Sequence, residues 1–314
     1  MSVLAYLCLV LKCVIYGSTV LFTANLTENA DVLDVLAIRF LLTFGLLTLL
    51  KSARVIRVSV TLRDLLLQTD RRQNVKGLLL AGLFEPVLYM TFEALGISMS
   101  STVTVGVILS LTPVASILVE ALVLKEKCPP ARAAFLLLGI VGALIITFNT
   151  NTANGSDSVP GILFIFLAVI AGAMFTAFSR RSSKAFAPFE ITYVSAFLGM
   201  TVFNAANLAR HIAHGTLAHY FDPLLTANGL VGFAFLAFVS SVAAVFMANY
   251  ALARLPISTA AAFTGLSTLV TVLLGVFVRH EPLYAYHAVG FSLILIRIVG
   301  VIAVDRRIRV PKGV

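Results

Sequence analysis

The chain has 314 residues, of which 60% are hydrophobic and 12% charged, with a formal net charge of +9. Soluble domains carry about 25% charged residues, and no aqueous core of this length hides so much apolar surface, so lipid is the solvent for much of the chain. A soluble domain is excluded, no nucleic-acid partner is expected, and the basic balance matters through where it sits along the chain.

A helix crosses the bilayer core in about 20 apolar residues. Ten such windows follow one another, near 2–24, 34–51, 76–95, 101–124, 132–149, 160–179, 189–209, 227–251, 258–278 and 285–304. The first lacks a basic start and reads as a retained helix, not a cleaved leader. Connections are short except 52–75 and 210–226. The former mixes basic residues with Val55, Ile56, Val58, Leu62 and Leu65, and reads either as an amphipathic helix on the inner leaflet or as a solvated basic loop. Asn25 and Asn154 head glycosylation triplets in short outside loops, where use is not expected. Cys8, Cys13 and Cys128 show no ligand spacing and read as free thiols.

With the N-terminus inside, the inside segments hold 18 Lys and Arg and the outside segments hold two, Arg210 and Arg279. Lys12, Arg39 and Arg297 lie within spans. This asymmetry places both termini in the cytoplasm of a multi-pass protein of the cell membrane, the inner membrane if bacterial.

The chain also repeats. Ala94-Leu95, Thr104, Leu111, Leu118, Val123 and Glu126 are matched by Ala251-Leu252, Thr259, Leu266, Leu273, Val278 and Glu281, at an offset near half the chain. The expected fold is an all-α integral membrane protein of ten transmembrane helices, five in residues 1–150 and five in residues 151–314. Five is odd, so the copies have opposite orientation. Inverted repeats of this kind place a substrate site near the midplane where the halves meet.

Four groups of residues resemble the EamA-type members of the drug/metabolite transporter superfamily: Tyr16-Gly17-Ser18, Arg39, the run Ala94-Leu95 to Ser110-Leu111-Thr112-Pro113 to Glu126, and Ala251-Leu252 to Glu281 with Gly290. The chain departs from that pattern at Tyr16, where tryptophan is commoner, at Thr268 in place of a second proline, and at Arg297 in place of glycine. The resemblance implies export or exchange of small metabolites such as amino acids, or of drugs.

An ionisable group inside a span is costly and marks a candidate site. Lys12 and Glu85 lie near the middles of segments one and three, opposite in charge and similar in depth, so an ion pair is one expectation. Tyr16 and Ser18 stand one to two turns from Lys12, and Tyr89 and Glu93 share a helical face with Glu85. Pro86 would kink the helix and free carbonyls toward a cavity. Two carboxylates and a tyrosine suit a cationic or amine-bearing group, and Glu85 is also the candidate carrier of a coupling proton. In the other reading, Glu85 is neutralised by Lys12 and only holds helices together. Asn249, Tyr250, Thr264 and Ser267 offer hydrogen bonds to a substrate's polar end or to neighbouring helices.

Thr102, Gly106 and Ser110, spaced by four, read as close packing, as do Ala261 and Gly265. Arg39, near the outer end of segment two, reads as snorkelling or as capping an outside gate, and Arg297 as snorkelling inward. Glu120, Glu126, Glu190 and Glu281 lie toward helix ends, and the matched Glu126 and Glu281 suggest a structural role at a turn. His211, His214, His219 and Asp222 share the outside loop, read as solvated and not metal-binding. No cofactor or metal is expected; the partners are a small-molecule substrate and the bilayer, and the sequence specifies no oligomeric state. The competing reading is a membrane-embedded enzyme acting on a lipid or isoprenoid. Such enzymes hold metal and phosphate with Asp-rich or His/Asp pairs at the membrane edge, and no Asp-rich cluster is present.

Overall fold

A computed structural model describes residues 2–56, 72–112, 157–182, 185–252 and 257–309, with scattered positions between 115 and 145. The basic stretch 57–71, Pro113, Glu120, Glu126, Cys128 and Asn154 lie outside the described residues, as do the side chains of Asn249, Ala261, Thr264 and Arg297.

The described elements are helices: α1 (Ser2–Thr27), α2 (Val32–Ser52), α3 (Arg72–Gly82), α4 (Tyr89–Ser98), α5 (Thr102–Leu109), α6 (Val159–Ser182), α7 (Pro188–His214), α8 (Asp222–Leu225), α9 (Ala227–Ala234), α10 (Ala244–Leu252), α11 (Ile257–Val278) and α12 (Ala285–Arg309). Widened π turns join α3 to α4 over Leu83–Leu88 and α9 to α10 over Phe235–Ala243. Six of these runs are long and apolar enough to cross a membrane: Val3–Thr27, Val32–Ser52, Val75–Ser98, Val159–Ser179, Phe189–His214 and Ala227–Ala248. The end of segment four and most of segment five fall outside the described residues, so the structure leaves the count of ten as an expectation.

Local chemistry explains the boundaries. Asp31 caps α2 by accepting the Leu33 N–H at 2.9 Å, and Asp34 and Lys51 complement the helix dipole at its two ends. Pro188 opens α7, where its missing N–H costs nothing, and Gly215 closes it with φ 67°. Pro86 interrupts its helix, and the preceding Glu85 takes φ −118°, ψ 53°, because the proline ring disfavours helical backbone one residue earlier. The kink expected there is present.

Between 28% and 50% of each span's most apolar stretch is buried inside the protein, and Leu163, Ile170, Leu230, Phe277 and Val299 are among the exposed side chains of the bundle. That is the pattern of a bundle whose outer surface meets hydrocarbon. Inside, helices from before residue 150 pack on helices from after it: α1 on α10 and α11, α2 on α7, α4 on α6 and α5 on α11. Close approach depends on small residues. A Cβ at Gly17 would lie 2.5 Å from the Ser267 carbonyl oxygen, and one at Gly106 would lie 2.7 Å from the Thr271 methyl. The packing role expected of Gly106 is therefore seen against α11.

Candidate functional site

The π turn and kink set Glu85 beside a helix that continues through Tyr89 to Glu93. The Tyr89 hydroxyl donates to Glu93 Oε1 at 2.7 Å, so the i, i+4 spacing is realised as a contact. Glu93 is buried. Tyr89 packs against Gly172 of α6, where a Cβ would lie 3.1 Å from the ring.

Arg39 corrects its sequence reading. It does not snorkel: it is 5% exposed, and its Nε has no hydrogen-bond partner. Glu93, Tyr89, Glu85 and Tyr16 lie in its electrostatic neighbourhood, and among the described residues none of them makes an ion pair or hydrogen bond with it. The structure thus assembles one guanidinium, two carboxylates and two phenols from α1, α2 and the kinked α3–α4 helix. An arginine in an apolar window was the available signal; its direction was not, because rotation of α2 about its axis is set by packing.

Lys12 turns to the Tyr16 ring at the border of this group. Its ammonium sits 4.3 Å from the centroid of the Tyr16 ring, one turn along α1. Among the described residues no ion pair joins Glu85 to Lys12. The ion pair expected for Glu85 is formed neither with Lys12 nor with Arg39 among the described residues.

The remaining expected site residues divide. The Ser18 hydroxyl bonds back to the Val14 carbonyl at 2.9 Å. Ser267 stands against Gly17, and its carbonyl accepts the Thr271 hydroxyl at 3.1 Å, so it shares the level of Tyr16 and Ser18. Tyr250 packs by Ala5, Leu9 and Cys8, two to three turns away at the start of α1. The side chains of Asn249 and Thr264 are not among those described.

A second polar cluster was read as a solvated loop. Helix α7 instead runs through His214, and His211 is buried, with Nε2 2.8 Å from Asp34 and Nδ1 2.9 Å from the Thr216 carbonyl. Arg210 bridges Asp31 and Asp34, each at 2.8 Å, and Asn207 donates to Asp34 at 2.9 Å. Beyond this clamp, burial and the nearby Asp34 carboxylate push the Tyr220 hydroxyl's pKa upward. The clamp walls a polar cavity of about 750 Å³ at the end where α1 stops and α2 starts, also lined by Asn29, His214, His219 and Asp222. The described residues hold no group of three His, Cys, Asp or Glu arranged for a metal ion.

Comparison with known proteins follows this geometry. The EamA-like transporter family matches twice, over residues 3–148 and 159–303, so the chain holds two copies of one repeat. The uncharacterized transporter YcxC of Bacillus subtilis (strain 168) is 30% identical over 296 residues, 94% of this chain and 92% of its own length. The uncharacterized transporter YyaM of the same organism is 21% identical, over 83% of each chain. One crystal structure at 18% identity superposes with a TM-score of 0.59 over 97% of this chain and 98% of its own, which supports the fold. The names of the family and of these relatives indicate a transporter, and nothing among them supports an enzyme of lipid chemistry. The chain is a multi-pass membrane transporter that belongs to the EamA-like family of the drug/metabolite transporter superfamily.

Proposed function

We propose that the chain is a secondary transporter that exports or exchanges a small metabolite carrying both an acid and an amine, such as an amino acid, by alternating access. In this reading the repeats, 1–150 and 151–314, are inverted five-helix units, and both termini face the cytoplasm of the cell membrane. The observation that carries it is the buried Arg39, with an unpartnered Nε, among Glu85, Tyr89 and Glu93 at a proline kink. Charge is expensive inside a membrane and is kept where it meets a partner or a substrate. A guanidinium takes the acid end, Glu85 and Glu93 take the ammonium, and Tyr16 and Ser267 border the same level. The face first read as suited to a cation thus serves a zwitterion once Arg39 is added. Glu85, freed from Lys12, carries the coupling proton.

Counterflow in proteoliposomes, with labelled amino acids, amines and cationic drugs, tests this. Amino-acid counterflow is expected for the parent and is lost in Glu85→Gln and Arg39→Gln. Counterflow of amines alone, unaffected by Arg39→Gln, refutes the zwitterion reading. Normal flux with unchanged pH dependence in Glu85→Gln returns that residue to a structural role.

A further inference from the structure

A charge-assisted contact between the two repeats lies outside the substrate site. The four leading N–H groups of a helix have no partner within it. At α5, Ser101 Oγ takes the Thr104 N–H at 3.2 Å, while the N–H groups of Thr102 and Val103 donate to Glu281 Oε1 and Oε2 at 2.9 and 2.8 Å. Glu281 belongs to the other repeat, just past the end of α11. The carboxylate therefore closes a bidentate, charge-assisted cap on the positive end of a helix from the first repeat.

Three features build this contact. His280 adopts a left-handed φ of 53°, which turns the chain sharply at the end of α11, and the Glu281 N–H returns to the Gly275 carbonyl at 3.0 Å. A Cβ at Gly275 would lie 2.9 Å from Glu281 Oε2 and 3.2 Å from the Val103 nitrogen, so the slot for the carboxylate exists because residue 275 has no side chain. Arg279 donates to Glu281 Oε1 at 3.0 Å and reaches Asn25 at 2.6 Å, and it also pairs with Glu28, tying in the end of α1. Beside it, Asp157 accepts the Ser101 N–H at 2.6 Å and the Thr104 hydroxyl at 2.7 Å, and that hydroxyl lies 2.9 Å from His287 of α12.

We propose that Glu281 is a latch that holds this end of the transporter shut, and that its release from α5 is required for the end to open. The inference goes beyond the substrate-site reading and is tested without any substrate. Alternating access needs each end to part between the repeats. Here the two repeats are joined by polar contacts at a rim where Glu28 is exposed and water can replace them. Directly beneath, Val20, Ala24, Val103, Val107, Ile108 and Val272 form a dry apolar cluster that water reaches once the latch parts.

The test uses the full chain in proteoliposomes, with Cys8, Cys13 and Cys128 changed to serine and Val107→Cys as reporter, buried one turn below the cap. A membrane-impermeant maleimide is applied to each face in turn. From the face of the latch, Glu281→Gln and Gly275→Ala, which expels the carboxylate, should each raise labelling about tenfold, the scale set by losing one charge-assisted hydrogen bond. Glu28→Gln, which removes only an outer arm, should change it less than about twofold. Parent-rate labelling in both latch variants overturns the proposal. So does an equal rise at a Leu78→Cys reporter, placed in the separate core of α3 and α7, since that would mean general loosening.

Discussion

Asp34→Ala removes the centre of the clamp between α2 and α7. Its carboxylate accepts from Arg210 and His211 at 2.8 Å and from Asn207 at 2.9 Å, and it is buried. Hydrogen bonds to a charged group contribute about 1.5–3 kcal/mol each, so losing all three without compensation would cost roughly 4.5–9 kcal/mol. Compensation is visible. Arg210 keeps Asp31 and the Asn207 carbonyl oxygen, His211 keeps Thr216, and the adjoining cavity admits water. The expected net loss is therefore about 2–3 kcal/mol, below the ~3–5 kcal/mol of an ion pair broken in a closed core. The assay is reversible unfolding in mixed micelles titrated with dodecyl sulfate. Asp34→Asn should lie nearby, since an amide accepts from one donor and faces its own N–H groups toward the others. A loss under about 0.5 kcal/mol in both variants would refute the clamp, placing it with exposed pairs that contribute little.

Other outcomes follow from the same contacts. Gly17→Leu should prevent α1 from meeting α11 and should cost at least ~3 kcal/mol or abolish folding, whereas Gly45→Ala, with open space around it, should be neutral or slightly stabilising; thermal midpoints compare them. Lys12→Met and Tyr16→Leu should couple by about 0.5–2 kcal/mol in a double-mutant cycle, while Lys12→Met and Glu85→Gln should add independently. Coupling of the second pair and none of the first would reverse the assignment of Lys12. Leu225→Cys, 79% exposed beyond α7, should react with an impermeant thiol reagent from outside intact cells. Reaction only after the inner face is opened would invert the topology.

Much of the site was legible before folding. Glu85, Tyr89 and Glu93 share a face by helical period alone, and Pro86 marks the break in the ladder. Gly106 showed its packing role through the spacing of small residues. The surroundings of Arg39 and Lys12 were not legible, because each is one charge in an apolar run and nothing in the run states which neighbour it faces. His211 was placed in a loop since α7 outlasts its hydrophobic window; the helix continues because Asp34, Thr216 and Gly215 satisfy its last turn. Glu281 stood out through its match with Glu126, yet its partner, the first turn of α5, lies 179 positions away.

The sequence by itself determined that lipid is the solvent, where the long apolar helices run, and that one unit occurs twice. Those properties are local sums of hydropathy along the chain, or comparisons of one stretch with another, and need no coordinates. Tertiary structure alone decided that Arg39 turns inward toward Glu85 and Glu93, that Lys12 rests on Tyr16, and that Glu281 crosses between repeats. Each of those pairings depends on how a helix is rotated and how closely it approaches its neighbour, and that is set by packing against residues far away in sequence.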